Sequence, residues 1–270
     1  MGYCTRLTKA FKGAPRLPLN NCSRYVIFSD CHRGTGTSND NFLKNKPVCY
    51  AALKYYYRMG FTYIELGDGD ELWENRSFED IFKAHSEIFE ILLILKKQNR
   101  LFMTYGNHDL IKKNHPNLFP CMPFYSGIIL EGLNSNVYLT HGHQTDLLNS
   151  VFWIFSQFLV RYVWKPLEKI GISDPTSAAK NYKRKKRTEK KLIHWAKKEN
   201  HILITGHTHR PVLSCKNDYY CNCGSCVHPY AVTCIEIEQK YIKLVKWDIS
   251  SNPDMLLGVR RTVLNIETLQ

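Results

Sequence analysis

The sequence predicts an α/β protein in which two mixed sheets pack face to face with helices outside. Three observations predict it. Short, β-rich apolar runs alternate with helical patterns through the first half of the chain. Strands return after a long helical stretch in the second half. The apolar runs are filled by Val, Ile, Leu and Phe, as expected where strands are covered on both faces.

Taken in order, residues 1–23 form a basic segment, with Arg6, Lys9, Lys12 and Arg16 set among Leu7, Phe11 and Leu17. Pro15 and Pro18 interrupt its helical pattern. The main domain is expected over residues 24–270. Its first strand covers 25–28, and a polar loop then leads to a helix over about 47–60, with Pro47 in the first turn where a missing N–H costs nothing. A strand over 63–66 and one helix over about 78–98 precede the strand 101–104. Residues 128–130 and 137–140, joined by a Gly-Leu-Asn-Ser-Asn turn, read as a hairpin. From 147 to 200 the pattern is helical, divided by a Gly-Ile-Ser-Asp-Pro turn at 171–175, and this stretch is expected as a helical cap insertion. A strand at 202–205 and a hairpin of 232–237 with 241–247 complete the domain.

Five polar clusters stand at the ends of apolar runs: Asp30-Cys31-His32, Gly67-Asp68, Gly106-Asn107-His108-Asp109, His141-Gly142-His143 and Gly206-His207-Thr208-His209. Ligand-type residues that recur at strand exits point to one site built where strands end. Carboxylates, an amide oxygen and neutral imidazoles suit divalent cations. Each histidine alone reads as an ordinary structural side chain; five in register with two aspartates and an asparagine read as a metal site.

These five clusters, in this order, resemble the motif series of the calcineurin-like metallophosphoesterases. The resemblance implies a four-layer αββα sandwich and a binuclear metal centre. It makes Asp30, His32 and His209 ligands of one ion, Asn107, His141 and His207 ligands of the other, and Asp68 the bridge. It makes His108 the residue that stabilises the transition state or protonates the leaving oxygen, oriented by Asp109. Two cations about 3.5–4 Å apart grip a phosphate from both sides and supply a nucleophile at neutral pH. Manganese is the first expectation for the ions, with iron, zinc or cobalt accepted by the same donors. Within the superfamily the Leu66-Gly67-Asp68 loop running into Glu71-Leu72-Trp73, the His-Gly-His element and the helical insertion are similar to the UDP-2,3-diacylglucosamine pyrophosphatase branch. That branch typically carries Arg where this chain has His108.

Substrate contacts are sought among the neighbours of the clusters. Arg33, Asn41, His143 and Asp146 are the first candidates, Arg33 because a guanidinium fork suits a phosphate. Asp40, Asn45, Glu71, Trp73, Glu74, Asn75 and Arg76 follow, each also readable as plain loop polarity.

The chain has 270 residues, 44% of them hydrophobic, enough for a substantial core, and a net charge of +13 that favours an anionic partner. Residues 180–199 hold ten Lys/Arg against two Asp/Glu. Residues 1–20 lack the apolar core of a secretory leader, so a cytoplasmic location is expected, with reduced thiols. The Cys221-x-Cys223-x-x-Cys226 spacing is tighter than structural zinc prefers and reads first as a turn into a strand. Residues 151–164 are rich in aromatic side chains but too interrupted to span a bilayer. Beside the basic run they suit a lipid-linked or otherwise phosphorylated substrate, or peripheral contact with an anionic membrane. Phosphodiester or pyrophosphate hydrolysis is therefore expected, with a phosphomonoesterase or protein phosphatase as the alternative. A nuclease using the basic helix ranks third, since no basic sheet interleaved with aromatics supports nucleic-acid binding.

Overall fold

The computed structural model describes residues 2–37, 40–114, 124–132, 136–146, 152–164, 182–251 and 257–269. Along the chain these form α1 (Tyr3–Ala10), β1 (Arg16–Leu19), β2 (Arg24–Phe28), α2 (Lys46–Arg58), β3 (Thr62–Leu66), α3 (Phe78–Ala84), α4 (Ser86–Lys97) and β4 (Leu101–Thr104). Then come β5 (Phe124–Tyr125), β6 (Ile128–Gly132), β7 (Asn136–Leu139), α5 (Trp153–Leu159) with a π turn over Val160–Trp164, α6 (Tyr182–Glu199), β8 (Ile202–Thr205) and β9 (Val212–Ser214). A short α7 (Cys215–Asp218), β10 (Tyr220–Asn222), β11 (Ala231–Glu238), β12 (Tyr241–Ser251) and β13 (Leu257–Thr268) complete it.

The strands build two mixed sheets. One has the order β1-β6-β7-β8-β10-β9 and the other β13-β12-β11-β2-β3-β4-β5. Strand alternation separates three apolar layers. Tyr25 and Ile27 of β2 face a core shared with Ile128, Leu130, Val137, Leu139 and Ile204 of the other sheet. Val26 and Phe28 face the opposite way, onto α2 and α4. On the far side Leu203 and Tyr220 meet Leu192, Trp195 and Ala196 of α6 and Leu7 of α1. Helix, sheet, sheet, helix is the four-layer order expected from the resemblance. Each fully buried Leu, Ile or Phe contributes about 1.5–3 kcal/mol, so the inter-sheet layer and the layer under α2 and α4 both stabilise the fold.

Both predicted hairpins form, β6 with β7 and β11 with β12, each antiparallel. The helix expected over 78–98 is broken at His85, whose fully buried ring lies with Nε2 2.8 Å from Asp40 Oδ2. Ser77 caps α3, its Oγ accepting the Asp80 amide. The basic N-terminal segment is docked on the sheet. Arg16–Leu19 pairs in parallel with β6 at a sheet edge, where Pro18 is tolerated. Trp195 Nε1 donates to Thr8 Oγ1 at 3.1 Å, and Phe11 stacks on Trp195.

The helical insertion divides into unlike parts. Residues 147–151 and 165–181, including the 171–175 turn, lie outside the described residues. The second helix, α6, belongs to the outer helical layer through Leu192, Trp195 and Ala196, with Lys183, Lys186, Arg187, Lys190, Lys197 and Lys198 exposed. The first, α5, leaves Phe152, Ile154, Phe155 and Phe158 more than half exposed. Among the described residues no helix is long and apolar enough to cross a membrane. The nine described cysteines are free. Cys221 and Cys223 point into the inter-sheet core and Cys226 into the α2–α4 layer, which agrees with the turn reading of their spacing.

Candidate active site

The parallel strands β2, β3 and β4 in one sheet, and β7 and β8 in the other, deliver their C-terminal ends to one place. Backbone bonds lash these exits together: Asp30 N donates to Gly67 O, His32 N to Asp68 O and Gly206 N to His141 O. Close approach requires glycine twice. A Cβ on Gly106 would lie 2.0 Å from Asp68 Oδ1, and one on Gly206 1.8 Å from Ser29 Oγ.

Asp30, His32, Asp68, His207 and His209 all have φ between 48° and 66°. Non-glycine residues there cost about 1–2 kcal/mol each. Five such residues among seven candidate ligands mean that the surrounding fold holds this site in a strained geometry.

The seven expected ligands converge. The donor atoms of Asp30, His32 and His209 lie within 4.8 Å of one another, and so do those of Asp68, His141 and His207. Asp68 stands between the two groups, with Oδ2 3.1 Å from His141 Nε2 and 3.9 Å from His32 Nε2. Asn107 Oδ1 is 3.3 Å from His141 Nε2. His141 Nδ1–H donates to Leu66 O at 2.7 Å, which leaves Nε2 as its ligand atom. The residues fit a metal by a direct sign: Asp30 Oδ1, His32 Nε2 and His207 Nε2 are buried with no hydrogen-bond partner among the described residues.

The electrostatics match. Burial opposes the charge on Asp68, but His141 and His108 hold its pKa well below the carboxylate range. Burial opposes the charge on His141 too, yet Asp68 and Asp30 raise it to about 9. Burial and the neighbouring His141 push His207 down to about 3. Asp68 is thus charged and His207 a neutral donor, whereas His141 would give up a proton on binding an ion.

His108 lies at the edge of the cluster, stacked on Trp73 with ring centroids 4.2 Å apart. Its expected orienter, Asp109, does something else. Asp109 Oδ1 accepts the Gly106 amide at 2.7 Å, and Oδ2 accepts the Gly69 amide and Lys112 Nζ. The carboxylate on the His108 ring is Glu71, with Oε1 2.7 Å from Nδ1. Burial works against charge on His108, but Glu71 and Asp68 raise its pKa. In the sequence Glu71 stood out only as a polar loop residue and as part of the Glu71-Leu72-Trp73 element, with no link to His108.

Arg33 is not a substrate contact. It is 1% exposed, with Nη1 and Nη2 each 2.8 Å from the Glu65 carboxylate and Nε 2.7 Å from Asp70 Oδ1. Its guanidinium is used up inside the protein. Asp146 is paired with Arg184 of α6. Asn41 is exposed, outside the hydrogen bonds that join the cluster. His143 is brought to the site: it is buried, its Nδ1 has no partner among the described residues, and its ring lies 5.5 Å from that of His141. Burial, then His141, holds its pKa well below the usual value.

Helix α5 lies over the loop that carries Trp73. Gln157 Nε2 donates to Leu72 O, and Arg161 donates to both Trp73 O and Leu72 O. The insertion therefore touches the residues that hold His108.

No curated protein matches the chain. Among solved structures it is similar to a conserved protein of Streptococcus pneumoniae described as a predicted phosphoesterase, at 14% identity and a TM-score of 0.38, covering 89% of this chain and 97% of that one. It is also similar to Vps29 of Chaetomium thermophilum, at 10% identity and a TM-score of 0.45 over 93% of this chain and 100% of that one. A novel archaeal phosphodiesterase matches at 18% identity and a TM-score of 0.37 over 89% and 99%. The match that decides the family is at the level of sequence pattern and runs over residues 23–211, from β2 through the last two histidine ligands. The chain belongs to the calcineurin-like phosphoesterase family and is a metal-dependent hydrolase of phosphoric esters.

Proposed function

We propose that the protein hydrolyses a phosphodiester or pyrophosphate bond with two divalent ions, manganese first among them, held by Asp30, His32 and His209 on one side and Asn107, His141 and His207 on the other. The observation that carries this reading is the position of Asp68, within 4 Å of the imidazoles of both groups. When bound, the ions polarise the phosphoryl oxygens and activate the attacking water. The chain's own contribution is a proton. His108, its pKa raised by Glu71 and Asp68 against the effect of burial and its ring seated by Trp73, donates from Nε2 to the departing oxygen. A proton donor matters most for a poor leaving group such as a sugar or lipid alcohol.

The exposed aromatic face of α5 beside the His108 loop supports a substrate with an apolar tail, of the lipid-linked or nucleotide-sugar kind cleaved by UDP-2,3-diacylglucosamine pyrophosphatases. A cytoplasmic protein with peripheral contact at an anionic membrane accords with that substrate. The test is a metal-reconstituted panel of a diester, a monoester, a nucleotide-sugar pyrophosphate and a lipid-linked pyrophosphate. Turnover of the diester or either pyrophosphate should exceed that of the monoester. A faster monoester would replace this reading with a phosphomonoesterase or protein phosphatase.

A further inference from the structure

A cleft of about 560 Å³ opens beside the metal-ligand cluster, bounded by α1 and the turn after it, by the 3₁₀ turn Leu110–Lys113 and by the 3₁₀ turn His143–Thr145. Four cations line it: Arg6, Lys9 and Lys12 from the N-terminal segment and Lys113 from the chain just beyond Asp109. No carboxylate is among its described lining residues. Lys9, Lys12 and Lys113 are exposed and make no ion pair among the described residues. Like charges gathered in a concave site raise the local potential and cost free energy unless an anion enters.

Two further features make the cleft a built site. Its cationic wall is rigid. Leu7 and Ala10 of α1 are buried, and Trp195 fastens the helix through Thr8, so Arg6, Lys9 and Lys12 are presented from a fixed scaffold. Its inner end is His143, 5% exposed, with Nδ1 unpartnered among the described residues and its ring beside that of the ligand His141. The cleft thus runs from exposed lysines on the side toward solvent to His143, whose ring adjoins that of the ligand His141, at its inner end.

We infer that this cleft is an anion subsite that takes a second, uncleaved phosphate of the substrate. The inference rests on the phosphoesterase reading and adds to it: the enzyme selects molecules that carry a phosphate beyond the scissile one. The basic N-terminal segment is thereby a specificity element, and Trp153 of α5 lines the same cleft.

The test compares two probes that differ by one phosphate, thymidine 5′-(p-nitrophenyl phosphate) with and without a 3′-phosphate. Wild-type protein should show a KM about 10-fold lower for the 3′-phosphorylated probe, a size expected for a few part-exposed charge contacts. The triple variant Lys9→Ala, Lys12→Ala, Lys113→Ala should lose that preference while its KM for the other probe is unchanged. An equal preference in both proteins would overturn the subsite. Calorimetric titration of the metal-free proteins with inorganic pyrophosphate gives a second reading that needs no turnover. Weaker binding by the variant supports the subsite, and identical isotherms overturn it. If neither probe is hydrolysed with any divalent metal, the proposed reaction fails while the isotherms still decide the cleft.

Discussion

Glu71 places Oε1 2.7 Å from Nδ1 of His108. Its other oxygen, Oε2, lies 2.8 Å from Nδ1 of His32. One carboxylate thus fixes the ring of a metal ligand and the ring of the proton donor. Both imidazoles turn Nε2 toward the site as a result.

Replacing Glu71 with Gln should lower the maximal rate about 10- to 100-fold, the usual cost of losing a ligand's supporting carboxylate. The pH profile carries the sharper sign. Glu71 raises the His108 pKa, so the protonated donor persists to higher pH in the wild type. In the variant the alkaline limb of the rate should move to lower pH. His108→Ala should cost about 10²- to 10⁴-fold in rate with metal content retained. Loss of metal in that variant would place His108 among the ligands.

Asp68→Ala should remove more metal than His32→Ala or His207→Ala. Without it, the two ligand groups lose the one charge that lies between them. Metal analysis of the purified variants checks this, and full metal content with normal turnover in Asp68→Ala would exclude the bridging role.

The buried chain Glu65–Arg33–Asp70–Lys112–Asp109 predicts an acid-sensitive fold. Burial disfavours the Asp70 charge, but Arg33 and Lys112 lower its pKa from 3.8 to about 2. Its stabilising contribution is therefore full above pH 4 and fades as the pH falls through about 2. Arg33→Met should cost about 3–5 kcal/mol at neutral pH, because buried Glu65 loses its guanidinium partner and Asp70 keeps only Lys112. Urea unfolding at pH 7 and at pH 3 measures both effects, and KM should not change, since Arg33 does not reach substrate.

The double variant Gln157→Ala, Arg161→Ala should free α5 from the Leu72–Trp73 backbone. Losing these bonds, two of them from a charged donor, should lower kcat/KM on a lipid-linked pyrophosphate about 10-fold or more. A small soluble diester should be turned over as before. Equal losses on both substrates would show that α5 supports the His108 loop and does not act on the substrate tail.

Much of the fold was legible because buried strands leave a local trace. The runs ahead of Asp30, Asp68, Asn107, His141 and His207 are apolar and short, and all five are strands. What escaped had weak local signals. The edge strand Arg16–Leu19 is half exposed and contains Pro18, so its pattern is not that of a core strand. The buried ring at the His85 break is held by Asp40, 45 residues away. The length of β13 is also hidden, since its apolar residues Leu257, Val259, Val263, Leu264 and Ile266 break the alternation with Arg260–Arg261 and Val263–Leu264 pairs.

The sequence by itself determined which residues can hold metal and the order in which strands deliver them, since residue type and position after an apolar run are properties of the chain alone. The tertiary structure decided what those residues' neighbours do. Asp109 adjoins His108 in sequence, yet it turns to the Gly69 and Gly106 amides and Lys112, and the carboxylate that reaches His108 comes from Glu71, 37 residues earlier. Arg33 adjoins a ligand, yet packing buries it against Glu65 and Asp70. The left-handed backbone at five ligands belongs to the same class. The physical reason is common to all three: side-chain direction, burial and strain at a strand exit are set by whatever packs there from the rest of the fold, which local sequence does not encode.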